Sequence, residues 1–243
     1  MTRGEVSSSA FDYLCVEMVN DALDRASTRR ARDDGFGGAT SAKGGSGDYD
    51  DDDDDDVRDD ATVAAACETL ARTGERIGER CAERATRGMD PFADEQSAIM
   101  CACKEFWTLA HGKRADALKT NNKGTFVFHD DSFRAMRGVV GGARARGTSG
   151  KRLASDGGGG GGGASASDVS TVDADPRVRA YLALHAGIIR GGLRALGVRA
   201  RVRGELRAPS GSLAAARADA ALALDPPAVA FTVDVVRATD ERA

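Results

Sequence analysis

One aromatic-rich stretch, Met100 to Met136, constrains the fold more than any other part of the chain. It holds the only tryptophan, Trp107, together with Phe106, Phe126, Phe128 and Phe133, and Phe92 stands just upstream. Only 5% of the residues are aromatic, so this cluster marks where a core packs most densely. Its periodicity changes midway. From Asp94, the residues Ile99, Ala102, Cys103, Phe106, Leu109 and Ala110 recur at helical spacing, and Gly112 ends the run. After a Lys-rich connection, Thr125–His129 is a short aromatic and β-branched run. Asp130 and Asp131 read as the turn that returns the chain through Ser132–Met136, which predicts a β-hairpin.

The rest of the chain divides into patterned and patternless parts. Of 30 glycines, six fall in 35–47 and twelve in 138–163, including the unbroken run Gly157–Gly163. Ten Asp and one Arg lie between Asp48 and Asp60, a balance of −9 that leaves the remaining chain at +5 against a total of −4. Too few apolar residues lie in 27–60 (acidic) to offset the entropy of ordering them, the glycines make 138–175 (Gly-rich) a flexible linker, and 208–227 (Ala-rich) reads as a further interruption with a short helix. These three are predicted as insertions, the first two disordered, in a single domain whose ordered parts are about 9–26, 61–137, 176–207 and 228–237.

Helical spacing recurs in 9–26 through Phe11, Leu14, Cys15, Met18, Val19, Ala22 and Leu23. It returns in 61–87, with Thr62 as the N-cap and Val63, Cys67, Leu70, Gly74, Ile77 and Cys81 in one stripe. Gly74 and Gly78 each cost roughly 1 kcal/mol of helix propensity, which points to close approach of a neighbouring helix. Pro176 opens another helix over 176–196, whose Gly187, Gly191 and Gly192 are expected to seat it on the sheet. Residues 198–207 alternate Val, Ala, Val, Gly, Leu against Arg, Arg, Arg, Glu, Arg, a half-exposed strand. A last strand carries Val229, Phe231, Val233 and Val235. The order α-α-α-β-β-α-β-β gives an α+β fold: a four-stranded antiparallel sheet with helices packed on one face.

Patterns that would carry chemistry are not met. Gly150-Lys151 lacks the glycine and Ser/Thr of a phosphate loop, and the Asp run lacks the glycine and Glu of an EF-hand. His111, His129 and His185 with Cys15, Cys67, Cys81, Cys101 and Cys103 show no zinc spacing, so the thiols read as structural. No catalytic, cofactor or metal residue is assigned. The strand arginines Arg199, Arg201 and Arg203 read as a solvated face, with an anionic membrane surface as the next reading. Nucleic acid is not expected, because no aromatic residue is interleaved. The longest apolar stretch, Tyr181–Leu193, is too short and too polar to span a bilayer, and no signal peptide is read, so a cytoplasmic protein is expected. On the first helix, Phe11, Leu14, Met18 and the flanking Tyr13 make an apolar surface wider than a core stripe needs, which suggests a partner.

Several blocks resemble the transport protein particle (TRAPP) component family, subunit-6 branch. They are Cys103–Trp107 (CKEFW), Leu118–Asn121 (LKTN), Gly124–Phe128 (GTFVF) with Asp130 and Phe133-Arg134, Tyr181–Ala183, and Gly187–Leu193 (GIIRGGL) with Leu196-Gly197. Glu17-Met18, Arg76–Gly78 and Glu83-Arg84 add weaker support. The resemblance implies an α/β-plait-like domain that pairs with a sister subunit through its first two helices. The partner surface is then expected at Phe11, Tyr13, Leu14, Glu17, Met18, Leu70 and Ile77. It also implies a non-catalytic scaffold in a complex that tethers vesicles and promotes nucleotide exchange on a Rab-type GTPase, at Golgi and ER–Golgi membranes. Where some sister subunits carry an acylated cysteine, Arg87–Phe92 has none, so no acylation is expected there. A competing reading is a stand-alone small-molecule sensor of the same fold, which needs an open apolar channel between helices and sheet.

Overall fold

The computed structural model describes residues 8–35, 59–136, 139, 175–207 and 227–236. The helices are α1 (Ser8–Gly35), α2 (Asp60–Ala85), α3 and α4 (Pro176–Ala195). Helix α3 is continuous but not uniform: Glu95–Cys101 and Trp107–His111 are α-helical and flank a π-helical turn at Ala102–Phe106. The strands are β1 (Ala117–Thr120), β2 (Thr125–Asp130), β3 (Ala200–Arg207) and β4 (Ala228–Val235). All neighbours are antiparallel, in the order β1-β2-β4-β3. This is the expected α+β architecture.

The register explains why one face of the sheet is covered. Leu118, Phe128, Phe231 and Gly204 form one row across the four strands. A Cβ on Gly204 would meet the side chains of Phe231 and Leu182, so this row faces α4. Phe128, Phe231 and Val233 are almost fully buried, as are Trp107, Phe106 and Phe133. The rings of Trp107 and Phe128 meet edge-on at 6.3 Å, those of Trp107 and Phe231 at 5.6 Å. These rings fill the space between helices and sheet that a sensor's channel would require, so the competing reading gains nothing here.

The hairpin lies one segment earlier than expected. Ser132–Met136 is not a strand; β2 pairs with Ala117–Thr120, which the sequence reading treats as part of a connection. The turn at 121–124 is made by side chains. The Asn121 carboxamide oxygen accepts from the amides of Lys123 (2.8 Å) and Thr125 (3.1 Å), while Asn122 (φ 57°) and Gly124 (φ 103°) take left-handed conformations. Downstream, the Asp130 carboxylate accepts from Ser132 N at 3.0 Å and bends the chain away from the sheet. Phe133 N then donates to Pro227 O (2.9 Å), Arg134–Met136 forms a 3-10 turn, and the Tyr181 hydroxyl donates to Ala135 O (2.7 Å). With its backbone bonds placed elsewhere, this segment has none to give a second strand.

Helix α1 also continues through 27–35, which the sequence reading assigns to the acidic insertion. Ser27 and Thr28 hydroxyls donate to the carbonyls of Leu23 and Asp24, and Arg30 pairs with Asp59 at 2.6 Å. Of these last two and a half turns, residues 28–33 face water, so no apolar spacing announces them. Asp59, rather than Thr62, caps α2 by accepting from Thr62 N at 3.0 Å. Of the remaining insertion residues only Asp59, Asp60, Val139, Asp175 and Pro227 are described. The disorder expected of the rest lies outside the described residues.

The glycines of α4 are corrected in their role. An added Cβ at Gly187 or Gly191 would collide with the α2 backbone at Ala71 and Glu75. At Gly74 or Gly78 it would collide with the α4 backbone at Leu184 or Ile188. The four glycines therefore let α2 and α4 cross backbone to backbone. Gly192 alone faces elsewhere, onto the Phe106 ring presented by the π-helical turn.

Candidate partner interface

Helix α1 presents two faces with different fates. Cys15, Val19 and Leu23, four residues apart, are buried at 0–1% exposure against α2 and α4. One step round the helix, Tyr13 is 74% and Leu14 55% exposed, the two most exposed large apolar side chains among the described residues. Phe11 and Met18 are half-buried against the core and flank this pair, and Glu17 is exposed beside Tyr13. Five of the seven expected residues thus share one continuous edge of α1.

Further along, α1 and α2 diverge and leave a groove of about 720 Å³. Its floor combines Met18, Ala22 and Ala26 from α1 with Ala65, Ala66 and Leu70 from α2. Its walls carry Asp21, Arg25, Arg29 and Thr69. Leu70, expected as a contact residue, is only 2% exposed and forms the groove's base rather than a projecting contact. Ile77 is half-buried two turns further on and does not line the groove. The sequence reading misses Ala26, Ala61, Ala65 and Thr69. Their signal is the four-residue repeat of small side chains (Ala22 and Ala26; Ala61, Ala65 and Thr69), which opens space instead of filling it.

Behind this surface sits a buried polar centre. Trp107 Nε1 donates to Asp130 Oδ2 at 3.2 Å, and Lys113 Nζ reaches Asp130 Oδ1 at 2.7 Å and Asp116 Oδ2 at 2.8 Å. Burial opposes charge on Asp116, but the Lys113 ammonium and the Asp131 amide outweigh it and hold the carboxyl below its usual range. Asp130 is 1% exposed, and an asparagine there keeps one acceptor oxygen but turns the other into a donor, so at least one of the bonds to Trp107, Lys113 and Ser132 is lost. Asp130→Asn should destabilise the fold by about 1.5 kcal/mol. Red-shifted emission from the single tryptophan at matched denaturant would report it; an unchanged midpoint would remove the carboxylate from the account.

Half-buried His111 and fully buried His185 have ring centroids 5.3 Å apart, between Trp107 (4.3 Å from His111) and Tyr181 (4.5 Å from His185). His185 Nδ1 donates to Tyr181 O at 3.0 Å, which fixes that tautomer. Its Nε2 and both ring nitrogens of His111 are enclosed without a partner among the described residues. Burial pushes the thiols up, Cys15 to about 12 and Cys103 to about 11, with Cys67, Cys81 and Cys101 raised as well. At neutral pH all five are thiols, not thiolates. Among the described residues no group of three His, Cys, Asp or Glu is arranged to hold a metal ion. No described helix is long and apolar enough to cross a membrane.

The sequence model of the Transport protein particle (TRAPP) component family matches residues 11–216. The Trafficking protein particle complex subunits 6B of Bos taurus and Homo sapiens are each 28% identical over 137 residues, covering 56% of this chain and 68% of theirs. Subunit 6A of Bos taurus is 27% identical over 139 residues, covering 57% of this chain and 69% of its own. The matched range takes in α1 with its exposed apolar edge, the α2–α4 crossing and three of the four strands, and on that extent of agreement the chain belongs to the TRAPP component family.

Proposed function

We propose that this chain is a non-catalytic scaffold subunit of the TRAPP vesicle-tethering complex. It pairs with a sister subunit through α1 and the α1–α2 groove, and contributes indirectly to nucleotide exchange on a Rab-type GTPase. Its place of work is the cytoplasmic side of Golgi and ER–Golgi membranes. The observation that carries the reading is the exposed pair Tyr13 and Leu14 beside a groove floored by Met18 and Leu70. Each large apolar side chain fully buried by a partner contributes about 1.5–3 kcal/mol, so two anchors suffice to make a pairing specific. The relatives named above are themselves subunits of a trafficking particle complex, which supports the same role here.

Co-expression with candidate sister subunits, followed by pull-down and mass spectrometry, tests the reading. The wild-type chain should recover a 1:1 complex and self-associate when purified alone. Tyr13→Glu with Leu14→Glu should lower recovery by about a hundredfold while leaving the far-ultraviolet spectrum intact. A well-behaved monomer that recovers no TRAPP component would overturn the proposal.

A further inference from the structure

We propose that the outer face of the sheet is a docking surface for an anionic phospholipid bilayer, with Lys119, Arg201 and Arg203 as its principal contacts. The inference deepens the reading above and rests on it for a place of work beside membranes. Because Gly204 faces α4, its neighbours Arg203 and Glu205, and Arg201 two residues on, point away from the helices. Arg203, Thr232, Val127 and Lys119 form one row across all four strands, about 14 Å from edge to edge at ordinary strand spacing. The basic side chains therefore stand on both edge strands. Between them lie the half-buried Thr232 and Val127 and, in the next row, the buried Ala230, all too short to hold a flat surface away.

The carboxylates on this face leave the basic groups uppermost. Asp234 lies in the next row, where it accepts from Thr125 Oγ1 at 2.9 Å and from Arg203 at 3.2 Å. Even so paired, Arg203 keeps 79% of its side chain in solvent. Arg207 Nη1 donates to His129 Nδ1 at 2.7 Å, which holds another guanidinium in the same face. Glu205 is the one further acid in these rows. Phe126, Phe128 and Phe231 belong to the inner face, so the outer one offers no Phe platform for a stacked base. A broad face with cations at both rims and small residues in the centre fits a plane of phosphates. Each such residue near an anionic leaflet is worth about fivefold in binding.

Vesicle flotation of the full chain tests this, with the pairing assay run in parallel. The wild-type chain should bind phosphatidylcholine vesicles containing phosphatidylserine about a hundredfold better than phosphatidylcholine alone, and lose the difference at high salt. The variant K119E/R201E/R203E should lose about a hundredfold. The charge-matched variant R87E/K104E/R177E, at exposed positions off the sheet, should bind as wild type. Retained pairing alongside lost flotation supports the inference and leaves the scaffold reading untouched. If the triple reversal also abolishes pairing, the milder R201Q/R203Q decides: normal flotation there overturns the inference. Equal binding to both vesicle types, equal loss in both triple variants, or retention on duplex RNA in place of vesicles overturns it too.

Discussion

Replacing Gly78 or Gly191 with alanine is expected to cost about 3 kcal/mol, at the upper end of overpacking penalties, and to lower Tm by roughly 9 °C. An added methyl normally helps a helix, because glycine is about 1 kcal/mol less favourable than alanine in a helix interior. Here the sign reverses. A Cβ on Gly78 would lie inside 3.0 Å of Ile188 O and Gly192 N, and one on Gly191 inside 3.0 Å of the Glu75 backbone. Backbone cannot rotate aside as a side chain can, so the two helices must separate along the whole crossing. Separation also loosens the flanking ion pairs, where Arg190 meets Glu75 and Arg194 meets Glu75 and Glu79. Those pairs are partly exposed and individually worth little, so the dominant loss is dispersion at the crossing. Gly88→Ala is the useful contrast. Gly88 has a left-handed φ of 84° but nothing within 4 Å, so only backbone strain of about 1 kcal/mol is expected. Denaturation midpoints that rank Gly88→Ala as costlier than Gly191→Ala would sink the crossing argument.

How much of this was legible beforehand depended on whether a feature leaves a period. The core face of α1, the stripe on α2, the helical run into Phe106 and the alternation of β3 all do, and each stands where the spacing puts it. The exposed pair Tyr13 and Leu14 was also visible, as apolar positions in excess of the buried stripe. What failed has no period. The hairpin was misplaced because Asn121 builds its turn through side-chain hydrogen bonds, while Asp130–Met136 looks like a turn and a strand but is drawn off by Tyr181 and Pro227. The groove was missed because its alanines matter for the volume they do not occupy. The partners of the four glycines depend on which helices cross, and spacing within one helix does not encode that.

Between pH 6.5 and pH 4 the fold should lose about 3 kcal/mol of stability through His185 alone, with His111 adding to it. Burial lowers the His185 imidazole to about 4, and burial together with the neighbouring His185 and Lys113 puts His111 well below the usual histidine range. The folded chain therefore binds these protons more weakly than the unfolded chain does. As pH falls through 6.5 the unfolded state takes them up first, so the contribution is complete above 6.5, declines towards pH 4 and is flat below. His129, lowered by burial and by Arg207, works in the same direction. Carboxylates held low by hydrogen bonds, such as Asp94 at its cap, act only in more acid solution, and Asp12, raised by burial, favours the fold as it takes up its proton, so the loss between 5 and 6.5 comes from the histidines. The structural cause is specific: three enclosed ring nitrogens have no partner among the described residues, and a bound proton would leave a charge between Trp107, Phe133 and Tyr181. Replacing His185 with Leu and His111 with Phe should therefore flatten urea-denaturation stability across that window. Whatever its stability at pH 8, the variant should gain on wild type as the pH falls from 8 to 5. A wild-type chain equally stable at pH 5 and pH 7.5 would remove the buried pair as the source of acid sensitivity.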